Sequence, residues 1–284
     1  MCATCGCGDD AAAVIRVPHE HHQHGDHEHD HEHGHDHHHE HQHGPGADHA
    51  HLPRTETVSL EMKVLAKNDE LAQRNREWLA ERDILALNMM SSPGAGKTTL
   101  LERTIRELGE LPVAVIEGDQ ATLLDAERIQ ATGCKVVQVN TGAGCHLDAE
   151  MMHRALETLD PAPGTLLFIE NVGNLVCPAL FDLGERSKVV VISVTEGTDK
   201  PLKYPHMFAA AELVLINKID LLPYVDFDLD KCGEFASAVN PGVQILPLSV
   251  TTGEGVNRWY RWLFEQRRPL KSAALEDAVR RGLE

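Results

Sequence analysis

An α/β fold with a mostly parallel sheet flanked by helices is predicted by three observations. From residue 84 onward, short apolar runs alternate with amphipathic stretches of helical period. Those runs are continuously apolar rather than alternating, which suits strands covered on both faces. The first of them ends in a glycine-rich turn, Ser91-Ser92-Pro93-Gly94-Ala95-Gly96-Lys97-Thr98, that opens a helical pattern.

The elements follow in order. Residues 57–83 lack Gly and Pro and are rich in Glu, Lys, Leu and Ala, so they read as a long helix leading into the domain. Strands are expected at 84–90, 113–117, 135–139, 165–170, 188–194, 212–217 and 243–248. Helices are expected at 97–108, 121–131, 147–159, 202–211, 229–239 and 255–266. The domain reading is a leader at 1–54, a helix at 55–83 and an α/β domain at 84–284. No internal repeat is visible.

The chain has 284 residues and a net charge of −18. Ten of the acidic residues and one arginine fall within the first 52 positions, so the leader carries half the charge. Such an acidic chain is a poor fit to nucleic acid or an anionic membrane. No run of about 18 apolar residues exists, so no transmembrane helix is expected. The start, Met-Cys-Ala-Thr-Cys-Gly-Cys, lacks the basic and apolar regions of a secretory signal, and the cytoplasm is the expected compartment. Seven cysteines, an odd number with three at the extreme N-terminus, argue for metal binding over a disulfide framework.

The turn at 91–98 matches a phosphate-binding P-loop in spacing and in Gly96, Lys97 and Thr98, with Ser91 where the general motif has Gly. Gly94, Ala95 and Gly96 let backbone N–H groups turn toward phosphate oxygens. Lys97 is expected on the β- and γ-phosphates, Thr98 on Mg²⁺ and Thr99 beside them. A chance glycine-rich turn is the bland alternative, disfavoured by the strand before it and the helix after it. Asn217-Lys218-Ile219-Asp220 ends a later strand. An Asp220 carboxylate can accept from guanine N1 and N2, whereas adenine presents the wrong pattern. Asn217 and Lys218 would brace the loops and stack on the base, and Ser249 falls in the last base-contacting loop. Alone the tetrapeptide is an ordinary strand-end turn; after a P-loop it predicts GTP/GDP binding and GTP hydrolysis.

Acidic strand ends lie between. Glu170, with Gly173 behind it, resembles a γ-phosphate-sensing loop, and Asp119 is a second candidate at the Mg²⁺ site. Glu117 is weighed evenly between this site and a surface or capping role. Asn174, not Gln, follows Gly173, so no water-positioning side chain is identified and slow intrinsic turnover is expected.

Three features suggest further metals. Cys2, Cys5 and Cys7 place three thiolates within six residues, enough to chelate one soft or borderline ion. Sixteen of the nineteen histidines fall at 19–51. His19, His21, His22, His24, His27, His29, His31, His33, His35, His37, His38, His39, His41 and His43 are expected to bind nickel weakly from a disordered tract. A solvated low-complexity tail is the bland alternative. Inside the domain, Cys145 and His146 follow one strand and Cys177 follows the Glu170 loop. They could share a metal, but single buried cysteines and histidines are more often packing residues. Cys134 and Cys232 show no partner pattern.

Together these pieces resemble the HypB family, the nickel-insertion accessory GTPases of nickel–iron hydrogenase maturation. The resemblance is carried by residues 1–7, 91–99, 116–120, 144–146, 168–178, 193–210 and 217–223, within a match over roughly residues 55–284 plus the first eight. It implies a P-loop G domain and a nucleotide-dependent homodimer. It implies a nickel site at Cys2, Cys5 and Cys7, and a nickel or zinc (Ni²⁺/Zn²⁺) site at Cys145, His146 and Cys177. Implied partners are a small zinc-bearing nickel accessory protein, a nickel metallochaperone and the hydrogenase large-subunit precursor, with the His tract storing nickel. Two other readings stay open: a metal buffer whose G domain only controls assembly, and the related nickel GTPase of urease maturation. The cysteine-rich start and the pairing of Gly-Cys-His with Val-Cys-Pro argue against the second.

Overall fold

A computed structural model describes residues 14–17, 54–109, 111–119, 124–142 and 146–267, with side chains of the first helix described from residue 63. The chain forms β1 (Val14–Arg16), α1 (Arg54–Glu81), β2 (Leu85–Ser91), α2 (Lys97–Leu108), β3 (Val113–Asp119) and α3 (Leu124–Gln130). It continues through β4 (Lys135–Asn140), α4 (Ala149–Leu159), β5 (Leu166–Glu170), α5 (Cys177–Leu180), β6 (Ser187–Ser193) and α6 (Lys200–Lys203). The last elements are α7 (Pro205–Ala210), β7 (Leu213–Asn217), a 3₁₀ helix (Ile219–Tyr224), α8 (Leu229–Val239), β8 (Gln244–Pro247) and α9 (Val256–Arg267).

The strands form one eight-stranded sheet in the order β1-β4-β3-β5-β2-β6-β7-β8, parallel except for β1 on β4. This is the α/β fold with helices on both faces that the apolar runs predict. Side chains alternate across the sheet, so β2 feeds the packing on both of its faces. Leu85, Leu87 and Met89 pack with Leu100 and Leu101 of α2 and with Trp259 and Leu263 of α9. On the opposite face, Ala86 joins the core with Leu79 of α1 and Met152 and Leu156 of α4. Met90 joins Phe208 of α7 and Cys232 of α8. The buried indole of Trp259 is satisfied: its Nε1 donates to Thr104 Oγ1 at 3.0 Å.

Four local features differ from the sequence expectation, one of them the unpredicted short helix α5. Residues 14–17 give no strand signal, yet β1 adds an antiparallel edge, with Val14 opposite Asn140. Residues 202–211 form two short helices rather than one, because Pro205 has no N–H to continue the first and begins the second at its N-terminus. The segment after Lys218 winds into a 3₁₀ turn.

Helix α1 docks through polar groups. Asn75 Nδ2 donates to the carbonyls of Ala149 (2.8 Å) and Leu183 (3.1 Å). Asn68 accepts from Ala149 N (2.9 Å) and donates to Asp182 O (2.8 Å). Gly184 lies so close that a Cβ there would sit 2.6 Å from the Ala72 carbonyl. The helix therefore clamps the start of α4 to the 182–185 loop. Among the described residues no helix is long and apolar enough to cross a membrane.

Candidate functional site

The C-terminal ends of β2, β3 and β5 open into a cavity of 480 Å³. Ligands in open parallel sheets bind at this edge, where strand order reverses. It is lined by the P-loop from Pro93 to Thr99, by Glu117, Gly118 and Asp119, by Glu170 to Gly173, by Lys218, and by Asp125 and Arg128.

The P-loop is set by backbone geometry. Gly94 and Gly96 have φ of 74° and 100°, in the left-handed region that favours glycine. Gly96 is the N-cap of α2 and provides no side-chain cap, so the first N–H groups of the helix remain available to an anion. Lys97 Nζ donates to Ser91 Oγ at 2.6 Å. The serine that replaces glycine therefore holds the lysine. Burial pushes the Lys97 pKa down, opposed chiefly by Glu170. Ser92 Oγ donates to Glu196, which ties the loop to the end of β6.

The acidic strand ends converge as a pair. Glu117 and Glu170 stand opposite each other on β3 and β5. Thr98 Oγ1 donates to Glu170 Oε1 at 2.7 Å. Glu117 Oε2 and Glu170 Oε2 are both buried without a hydrogen-bond partner. Burial, then the charges of Glu170 and Asp119, push the Glu117 pKa up to about 8. Burial also raises Glu170, offset by Lys97 and Thr98. Two orphaned carboxylate oxygens beside a threonine hydroxyl fit a hard divalent cation, which takes one or two carboxylates and keeps several waters.

The Asn217 loop is locked to the P-loop. Asn217 Nδ2 donates to Ala95 O (2.9 Å), and Asn217 Oδ1 accepts from Lys218 N (2.7 Å) and Val250 N (3.2 Å). Lys218 Nζ donates to Gly94 O at 2.8 Å. Asp220 Oδ1 is buried and unpartnered, the state expected of an acceptor awaiting a donor. Ser249 is fully buried; its Oγ accepts from Thr252 N within its own turn.

Residues 85–247 match the family model described as "CobW/HypB/UreG, nucleotide-binding domain". Hydrogenase maturation factor HypB of Escherichia coli strain K12 is 59% identical over 211 residues, covering 74% of this chain and 73% of that protein. The chain belongs to the HypB family. It is accordingly a P-loop GTPase. A HypB crystal structure from Archaeoglobus fulgidus superposes with a TM-score of 0.66 at 42% identity, covering 72% of this chain and 100% of that one. HypB from Helicobacter pylori, crystallised in complex with nickel, gives 0.68 at 36% identity, covering 73% and 98%.

Of the metal ligands that the HypB resemblance implies, two are placed. Cys177 is buried at the start of α5, four residues after Gly173. His146 stacks on Phe181, the C-cap of that same helix, with ring centroids 3.9 Å apart. Burial lowers the His146 pKa, opposed by Asp148. Cys145, Cys2, Cys5, Cys7 and the His tract lie outside the described residues. Among the described residues no three His, Cys, Asp or Glu side chains converge as a metal site. Cys134 and Cys232 are buried, with thiol pKa values pushed up to about 12 and 11, as expected of packing residues.

Asp125 and Arg128 went unrecognised in the sequence because α3 reads only as an amphipathic helix. Arg128 donates to Thr99 Oγ1 (3.2 Å), Glu102 (2.6 Å) and Asp125 (3.1 Å). No local motif marks them; their place in the cavity wall comes from α3 packing beside α2.

Proposed function

We propose that this HypB-family GTPase delivers nickel to the hydrogenase large-subunit precursor, using GTP hydrolysis to time metal release. One observation carries the reading: His146 is stacked against the short helix that begins at Cys177, and that helix follows directly on the Gly173 loop beside the P-loop. A nickel-bound family member of related sequence supports the choice of ion. The site at Cys145, His146 and Cys177 is proposed for nickel or zinc, and Cys2, Cys5 and Cys7 for nickel.

The chain's residues divide the hydrolysis among themselves. Backbone N–H groups of 94–99 cradle the phosphates, and Lys97 leaves Ser91 for the β- and γ-oxygens. Thr98 and Glu170, with Glu117 and Asp119 behind them, would hold Mg²⁺, which supplies charge neutralisation at the phosphates. Gly173 N–H contacts the terminal phosphate: its Cα lies tight against the P-loop, where a Cβ would come 3.2–3.3 Å from Pro93. Arg128 adds positive charge at the cavity wall. Asp220 selects guanine, with Ser249 in the neighbouring loop. Closure of the 170–177 segment over GTP couples to the metal ligands and to a homodimer; hydrolysis to GDP loosens both.

The proposed partners are a small zinc-bearing nickel accessory protein, a nickel metallochaperone and the large-subunit precursor, all in the cytoplasm. The His tract serves as a nickel store. Deleting residues 19–51 should then lower bound nickel without changing GTP hydrolysis. The deciding experiment is equilibrium dialysis of Ni²⁺ and Zn²⁺ against GTP-analogue- and GDP-loaded protein, wild type and Cys145→Ala. Nucleotide should change wild-type affinity, and the variant should lose the effect. Equal affinities in both nucleotide states of the wild type refute the reading.

A further inference from the structure

The buried amide of Asn171 joins two parts of the molecule that sequence leaves far apart. Asn171 directly follows Glu170 and is 1% exposed. Its Oδ1 accepts from Val172 N (3.0 Å), within the phosphate-facing loop, and from Leu147 N (3.3 Å), the residue after His146. Its Nδ2 donates to Asn88 Oδ1 at 3.2 Å. Asn88 in turn donates to Glu185 (3.1 Å), whose other oxygen accepts from Leu183 N (2.7 Å). Leu147 is fully buried and packs onto Gly118 so closely that a Cβ there would lie 2.9 Å from Leu147 Cγ.

We propose that Asn171 is the positioning residue that carries nucleotide state from the Val172–Gly173 loop to the backbone presenting His146. One acceptor oxygen serves two N–H groups, one in each segment. When the loop draws in over a terminal phosphate, Val172 moves and the Asn171 amide must follow it or break that bond. Either way the Oδ1 contact with Leu147 N changes. The surroundings are tied down by their own hydrogen bonds. Helix α1 pins Ala149 and Leu183 through Asn68 and Asn75, and Asn88 and Glu185 hold the strand side. The Leu147 N–H, bonded in this structure, would then have a second arrangement, released, between walls tied down by buried hydrogen bonds, which is the bistable element that coupling requires. A buried N–H is costly to leave unpaired, so the released arrangement draws the 146–147 backbone elsewhere. The metal consequence of this link deepens the nickel-delivery reading and rests on it; the link itself does not.

The test uses the full chain loaded with GDP or with a non-hydrolysable GTP analogue. The first measurement is hydrogen exchange at the Leu147 amide, which reports opening of that bond. The exchange rate should differ between the two nucleotide states of the wild type; equal rates overturn the proposal whether or not any variant folds. The second is the ratio of Ni²⁺ dissociation constants in the two states, read together with GTP-analogue affinity and melting temperature. Coupling of ordinary strength corresponds to a ratio of about 5 to 150. Asn171→Ala should bring the ratio close to one while the analogue still binds. A merely structural role would lower melting temperature and leave the ratio in place, and an unchanged ratio in Asn171→Ala overturns the proposal. If Leu147 exchange depends on nucleotide but wild-type nickel affinity does not, the Asn171 link is supported and the nickel-gating reading fails.

Discussion

Asn217 donates its amide hydrogen to the carbonyl of Ala95 across 2.9 Å, so the Asn217–Asp220 loop and the P-loop are one hydrogen-bonded unit. The contact is tight: a Cβ on neighbouring Gly96 would lie 2.5 Å from Asn217 Nδ2. Asn217 also satisfies the N–H groups of Lys218 and Val250. Replacing it with Ala strands two buried groups and one part-buried group, and about 3 kcal/mol of stability should be lost. Chemical denaturation measures this, and a fluorescent GDP analogue should bind much more weakly to the variant. A change below about 0.5 kcal/mol would contradict the bracing role.

Asp220 should set base identity. Its buried, unpartnered Oδ1 suits the two donors on the guanine edge. Asp220→Asn offers a donor in place of one acceptor. GTP affinity should fall about 100-fold or more, and affinity for xanthosine triphosphate, which carries an oxygen at position 2, should rise. Competition titration of the two nucleotides decides it; an unchanged preference would remove Asp220 from the base site.

The acid pair makes a pH prediction. The Glu117 carboxyl is raised by burial from 4.5 to about 8, so between those values the folded protein holds a proton that the unfolded chain releases. Stability of the nucleotide-free, Mg²⁺-free protein should therefore fall as pH rises from about 5 to 8. Glu117→Gln should flatten that fall, as should Mg²⁺ with nucleotide. Thermal melts across this window test the sign, and stability rising with pH in the wild type but not in the variant would refute it.

Arg128 is expected to matter for chemistry more than for folding. It is partly exposed, and its salt bridge to Glu102 is a surface interaction worth little. Arg128→Ala should slow single-turnover GTP hydrolysis about 100-fold while the melting temperature stays near that of wild type. An unaffected hydrolysis rate would leave the residue as a structural tie between α3 and α2.

Much of this was legible in the residues. The range of α2 follows from the P-loop and its helical period, and the core strands from continuous apolar runs that have no use except between two layers. The edge strand β1 was invisible because three residues, none of them buried, carry no hydropathy pattern; β4 supplies the partner. Glu117 was ambiguous in the sequence because a strand-end acid looks the same whether it meets water or another carboxylate. Its register opposite Glu170 resolves its environment.

Local chemistry therefore determined by itself that this chain is a nucleotide-binding α/β protein of the HypB family. Glycines at positive φ, a lysine and a threonine at fixed spacing, and an apolar period are properties of neighbouring residues. Tertiary structure decided which distant groups share an environment: Arg128 against Thr99, His146 against Phe181, and Asn171 between Val172 and Leu147. Hydrogen bonds and burial act over a few ångströms of space, and only the folded sheet brings those residues within that range.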